Sequence, residues 1–229
     1  MKEMRNRIEA ILDRIERASA RAGRDPSTVR LMAVSKLQSP EALEKAYQAG
    51  MRLFGENRVQ EAWEKFSGFH PDAELHIIGH LQSNKAKKAA EVAACIQSID
   101  KLKTAAELEK RCEVIGKVMD IYLEFNTSGE ESKSGYRSRD VLFGDLEKMC
   151  GFQHLRIRGL MTIGPLTGDE REIRRAFGEL RMLYEQVEKA FPDLPLGELS
   201  MGMSSDFEIA IEEGASMVRV GTALFGPRM

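Results

Sequence analysis

VRLMAVSKLQSPEALEKAYQ, residues 29–48, sets the pattern that the rest of the chain repeats. Its first part, Val29 to Val34, is apolar apart from Arg30, too short for a helix and bounded by turn-formers. It reads as a mostly buried strand ending at Ser35-Lys36. Ser39-Pro40-Glu41 then opens a helix, with Ser as N-cap and Pro at the first helical position. Together they make one β/α unit.

Working outward, further strand signals lie at 52–55, 75–79, 95–99, 118–125, 157–161, 198–201 and 217–220, with helical patterns between them. The clearest helix carries Ile173, Phe177, Leu180, Tyr184, Val187 and Phe191 at spacings of three or four and is stopped by Pro192. Upstream, Met4, Ile8, Ile11, Leu12 and Ile15 predict an amphipathic helix ending near Gly23. Eight strands, each followed by a return helix or the terminus, predict the α/β class. The expected form is a single (β/α)8 TIM barrel with an extra N-terminal helix, one domain over 1–229. A doubly wound open sheet is the alternative.

Composition sets the outer bounds. The 229 residues are 42% hydrophobic and 31% charged, a globular balance. A formal charge of −2 offers no whole-chain attraction for nucleic acid or an anionic membrane, so any anion site must be local. The charged start MKEMRNRIEAILDRIER lacks the apolar core of a signal peptide, and no stretch is long and apolar enough to span a bilayer, so a cytoplasmic address is expected. Cys95, Cys112 and Cys150 are odd in number and widely spaced. They suggest neither a disulfide framework nor a zinc site, only small, partly buried thiols.

A barrel gathers its strand ends at one mouth, and these read Ser35-Lys36, Glu56-Asn57, Gly79-His80, Ser98, Asn126, Met161-Thr162, Ser200 to Ser204 and Arg219 to Thr222. Lys36 follows an apolar strand directly. Desolvation and neighbouring positive charge favour a neutral amine, the form that attacks an aldehyde. A lysine snorkelling from a strand end into solvent is the plainer reading, and position alone does not choose between them. Ser204, with Ser205 and Asp206, opens a helix expected over 207–213, and Gly221-Thr222 follows the last strand. Both places suit a phosphate, and both suit ordinary caps and turns. Arg219 shares a strand face with Gly221, so it is either a group beside a bound ring or half of a salt bridge in the mouth.

Several segments taken in order resemble the pyridoxal phosphate homeostasis proteins (YggS/PROSC family). They are AVSKLQSPEAL, FGENRVQEA, HIIGHLQSNKAK, SIDKLKTAAEL, NTSGEESKSGY, RGLMTIGP and LSMGMSSDFEIAIEEGASMVRVGTALFG, spread over nearly the whole chain. The resemblance implies a monomeric barrel like the N-terminal domain of alanine racemases, holding pyridoxal 5'-phosphate (PLP) as a Schiff base and serving vitamin B6 balance. Transient contact with apo-PLP enzymes that receive the cofactor is also implied. Carried over residue by residue, it makes Lys36 the Schiff-base lysine and places Asn57 beside the cofactor. Ser204, Gly221 and Thr222 would hold the phosphate, Arg219 would face the pyridine nitrogen, and Ser200 and Met201 would lie close by.

An arginine at that nitrogen keeps it unprotonated and weakens the ring as an electron sink, which favours holding the cofactor over broad amino-acid chemistry. Alanine racemases share the arginine but add a tyrosine base from a second domain. Met229 follows the last strand so closely that no such domain is expected here. A PLP-dependent racemase or lyase stays the alternative function, and a barrel binding a sugar phosphate, with Lys36 merely electrostatic, a third. GEESKSG lacks the P-loop order, so Lys133 is expected on a loop near the mouth, with gating or PLP transfer as its other role. His76 and His80 stand too far apart on an extended segment to share a metal, and Lys85, Lys87 and Lys88 read as a solvated helix start rather than an RNA patch.

Overall fold

The computed structural model describes residues 2–226. Its eight strands are β1 (Arg30–Val34), β2 (Leu53–Glu56), β3 (Glu74–Ile77), β4 (Cys95–Ile99), β5 (Met119–Glu124), β6 (Leu155–Met161), β7 (Glu198–Ser200) and β8 (Met217–Val220). They pair in sequence order and close on themselves, all parallel, with Ala33 of β1 opposite Val220 of β8. The open-sheet alternative is thereby excluded.

Helices return the chain between strands: α2 (Pro40–Gln48), α3 (Val59–Phe66), α4 (Ala86–Val92), α5 (Leu102–Val114), α6 (Arg139–Met149), α7 (Glu170–Ala190) and α8 (Phe207–Glu212), with α1 (Lys2–Arg21) before β1 and α9 (Thr222–Phe225) after β8. Ser39 caps α2 as expected, its hydroxyl accepting from Ala42 N–H. On α1 the buried stripe is Ile8, Ile11, Ile15 and Ala18, whereas Leu12 is about half exposed, one position off the face that meets α8 and α9. Arg14 fastens that contact, pairing with Glu208 and lying 4.4 Å over the Phe207 ring.

Alternation along each strand separates two cores. Ala33, Phe54, Leu75, Ile96, Ile121, Leu160 and Val218 face the helices, while Met32, Val34, Tyr122, Met161 and Met217 fill the lumen. The lumen is unusually polar. His76, Gln97, Ser200 and Arg219 are all buried there, where branched apolar side chains are the norm. Cys95 and Cys112 are buried, but Cys150 is exposed, since it caps α6 at the surface. Among the described residues no helix is long and apolar enough to cross a membrane.

Candidate functional site

At the C-terminal ends of the strands a cavity of about 660 Å³ opens into the barrel. Lys36, Asn57, Ser204, Arg219, Gly221 and Thr222 all line it, brought together from the C-terminal ends of β1, β2, β7 and β8. Ser200 and Met201 do not. Ser200 sits fully buried beneath Arg219, and Met201 packs into the core between strands and helices.

Lys36 is half-buried on a turn whose two flanks are tied down. Lys65 Nζ donates to Ser35 O at 2.9 Å, and the Leu37 N–H donates to Glu61 Oε1 at 2.6 Å. Leu37 takes φ +62°, a left-handed conformation that is costly for leucine, and the Glu61 bond holds it there. Lys65 also bonds Glu61 and the buried Glu56, so a single clamp from β2 and α3 grips the backbone on both sides of Lys36. The clamp fixes where the amine enters the cavity.

On the far side, Ser204 does something other than open its own helix. Asp206 occupies the cap position of α8, and its carboxylate accepts from Met203 N–H at 2.6 Å. Ser204 Oγ instead accepts from the N–H groups of Gly221 and Ala223, at 3.2 and 3.4 Å. Two backbone donors and a hydroxyl thus converge at the cavity wall, the composition of an anion cradle. A Cβ on Gly221 would come within 3.3 Å of Val34 O, a tight contact against the β1 backbone. Gly79 serves Asn57 similarly: a Cβ on it would stand 2.8 Å from Asn57 Cα.

Arg219 is almost fully buried. Its Nη1 donates to Ser200 Oγ and its Nη2 to Thr162 O, both at 2.7 Å, which sets the guanidinium plane against the cavity. Burial pulls the guanidinium down to about 10, so it remains a cation at neutral pH. Lys133 reaches the wall from the 126–136 loop, where its Nζ donates to Glu130 Oε1 and Gly164 O. Asn126 staples that loop rather than lining the cavity, accepting from Ser128 and Gly129 and donating to the carbonyls of Glu130 and Lys133.

Sequence reading missed Glu124. It lines the cavity from the end of β5, is 3% exposed and leaves Oε2 without a partner. Burial, reinforced by Asp100, lifts its carboxyl to about 7 against the pull of Arg219. The signal was present in DIYLEF: Asp120, Tyr122 and Glu124 alternate with Ile121, Leu123 and Phe125, so the three polar groups share the lumen face. Among the described residues no three His, Cys, Asp or Glu are grouped to hold a metal, and His80 pairs with Asp100 at 3.1 Å instead.

The sequence and fold have known relatives. Residues 7–229 match the family model described as alanine racemase, N-terminal domain. A curated pyridoxal phosphate homeostasis protein from Aquifex aeolicus is 39% identical over 225 residues, spanning 97% of each chain. A protein of Bifidobacterium adolescentis described as unknown superposes with a TM-score of 0.90 at 36% identity, covering 97% of this chain and 94% of its own. PipY of Synechococcus elongatus, solved with PLP bound, gives 0.82 at 38% identity, with 93% and 100% covered. The chain belongs to the alanine racemase N-terminal domain family and, within it, to the pyridoxal phosphate homeostasis proteins.

Proposed function

We propose that this protein holds PLP in the mouth cavity and keeps it available to the cell, passing it transiently to apo-enzymes, as one cytoplasmic domain acting as a monomer. The observation that carries the reading is the convergence, on a single 660 Å³ cavity, of a clamped lysine, a backbone-and-hydroxyl cradle and a buried arginine. The donor chemistry fits the cofactor: an amine for the aldehyde, N–H groups for the phosphate and a fixed cation for the ring nitrogen. The relative solved with PLP bound supports PLP as the ligand.

In this reading Lys36 is the covalent anchor, Ser204, Gly221 and Thr222 hold the phosphate, and Asn57 bounds the ring. Arg219 keeps the ring nitrogen free of a proton, because a buried cation beside it penalises a second positive charge. When bound, PLP supplies an aldehyde that amines capture reversibly and a ring able to accept electrons. Ser200 and Met201 act from behind the wall. The surroundings favour custody of the cofactor over turnover, since the group that faces the ring nitrogen in this reading is the Arg219 cation and not a carboxylate.

The test is spectroscopic. Purified protein given PLP should develop a visible absorption band, and borohydride should bleach it while adding the pyridoxyl mass to the peptide carrying Lys36. Lys36→Ala should take up no covalent cofactor. Failure of the wild-type protein to bind PLP would overturn the reading. Sustained racemisation or lysis of an amino acid by the loaded protein would replace custody with catalysis.

A further inference from the structure

Beneath Arg219 a chain of buried hydrogen bonds runs down through the lumen. Arg219 Nη1 donates to Ser200 Oγ at 2.7 Å, Ser200 Oγ donates to Gln97 Oε1 at 2.7 Å, and Gln97 Nε2 meets His76 Nδ1 at 2.7 Å. His76 Nε2 then reaches Glu74 Oε1 at 2.6 Å, at the opposite end of the barrel. The path crosses from β8 to β7 to β4 to β3, and Gln97 and Ser200 lie on strands that are not neighbours.

With a neutral imidazole at His76, every bond in this chain takes one direction. A guanidinium only donates, so Ser200 Oγ accepts and spends its own hydrogen on Gln97 Oε1. The amide then turns its NH2 toward His76 Nδ1, and its second hydrogen faces Met217 Sδ at 3.0 Å. With Nδ1 accepting, the imidazole hydrogen is on Nε2, where a carboxylate awaits it. Flipping the amide would set its oxygen against both the sulfur and the imidazole lone pair, and would leave the Ser200 hydrogen without an acceptor. The orientation is therefore fixed from both ends, by a group that cannot accept and a group that cannot donate.

Such a chain is expensive to bury unless complete, each orphaned group costing about 1–3 kcal/mol. Apolar side chains would fill the same space more cheaply. We propose that Ser200, Gln97 and His76 are positioning residues for Arg219: the relay locks the guanidinium's rotation and so fixes the face it turns to the cofactor ring. This deepens the PLP reading and rests on it for its consequence, though not for the relay's existence.

Two measurements separate the relay from the PLP assignment. In protein without cofactor, side-chain nitrogen NMR should find the His76 hydrogen on Nε2 and separate, slowly rotating Nη–H signals for Arg219. Ser200→Ala and Gln97→Leu should merge those Arg219 signals. Given PLP, both variants should still form the borohydride-trapped adduct at Lys36, but with a displaced visible band and cofactor release faster by roughly tenfold, the effect of one lost bond to a charged group. Ser200→Thr, which retains the hydroxyl, should restore band and release rate. A His76 hydrogen on Nδ1, or wild-type Arg219 signals, band and release rate in both Ser200→Ala and Gln97→Leu, would overturn the proposal. If the wild-type protein takes up no PLP, the cofactor reading fails and the NMR results alone judge the relay.

Discussion

The two ends of this barrel handle charge in opposite ways. At the floor, where the strands begin, Arg30 pairs with Glu74 and Glu198 from strands that are not its neighbours, Tyr122 O–H donates to Glu198, and Arg156 meets Asp120. At the mouth, Glu56, Asp100 and Glu124 each keep a buried carboxylate oxygen without a hydrogen-bond partner. Closure needs a floor whose charges are spent within the protein. A binding mouth keeps some unspent, and the folded state is less stable for it.

The largest expected effect breaks the wall near the floor. A Cβ on Gly159 would stand 2.7 Å from the Glu198 carbonyl carbon, backbone that cannot move aside. Gly159→Ala should cost about 3 kcal/mol and lower the thermal midpoint by roughly 10 °C. An unchanged midpoint would show that the floor tolerates disruption and that the contrast with the mouth is false.

Next in size is a change at the mouth that should stabilise. Glu124 titrates near 7 in the folded protein, above its unfolded value, so the folded state binds the extra proton in between. Stability therefore falls as pH rises from about 4.5 to 7 and stays lowered above that. Glu124→Gln should add on the order of 2 kcal/mol to cofactor-free protein at pH 8 and almost nothing near pH 4.5, as urea unfolding at the two pH values would reveal. Equal effects at both would refute the assignment.

The floor carboxylate should show the reverse sign. A hydrogen bond from His76, aided by Arg30, holds Glu74 down at about 2. Its contribution is present above about pH 4.5 and disappears as pH falls toward 2. Because the side chain is 40% exposed, Glu74→Gln should cost only about 1 kcal/mol at pH 7, the loss vanishing in acid. Smallest of all, Arg156→Ala removes a largely exposed pair with Asp120 and should change stability by less than about 0.5 kcal/mol, a shift that calorimetry should barely resolve.

The strands were readable because a parallel barrel buries both faces of each, leaving short apolar runs between turn-formers, and all eight fall within a few residues of their expected places. Lys36, Asn57, Ser204, Arg219, Gly221 and Thr222 were readable as strand-end residues once a barrel was assumed. What Ser204 bonds was not, because its partners at Gly221 and Ala223 come from the next β/α turn and not from the helix it precedes. Glu124 was hidden by a strand expected to run on to Phe125, which moved attention to Asn126. The links joining Gln97 to Ser200 and Arg219 span the lumen, and one-dimensional spacing carries no trace of contacts between β4 and β7.

The register that sets Ala33 beside Val220 makes β1 and β8 a seam, joining the beginning of the barrel to its end. Lys36 leaves one lip of that seam and Gly221 the other. A ligand gripping both would act as a stitch across it, binding the closed ring and not the open one, so part of its affinity would appear as resistance to opening there. Amide exchange along β1 and β8 would then slow more on loading than exchange in β4 or β5. The cofactor's custodian would, in turn, be fastened by its cargo.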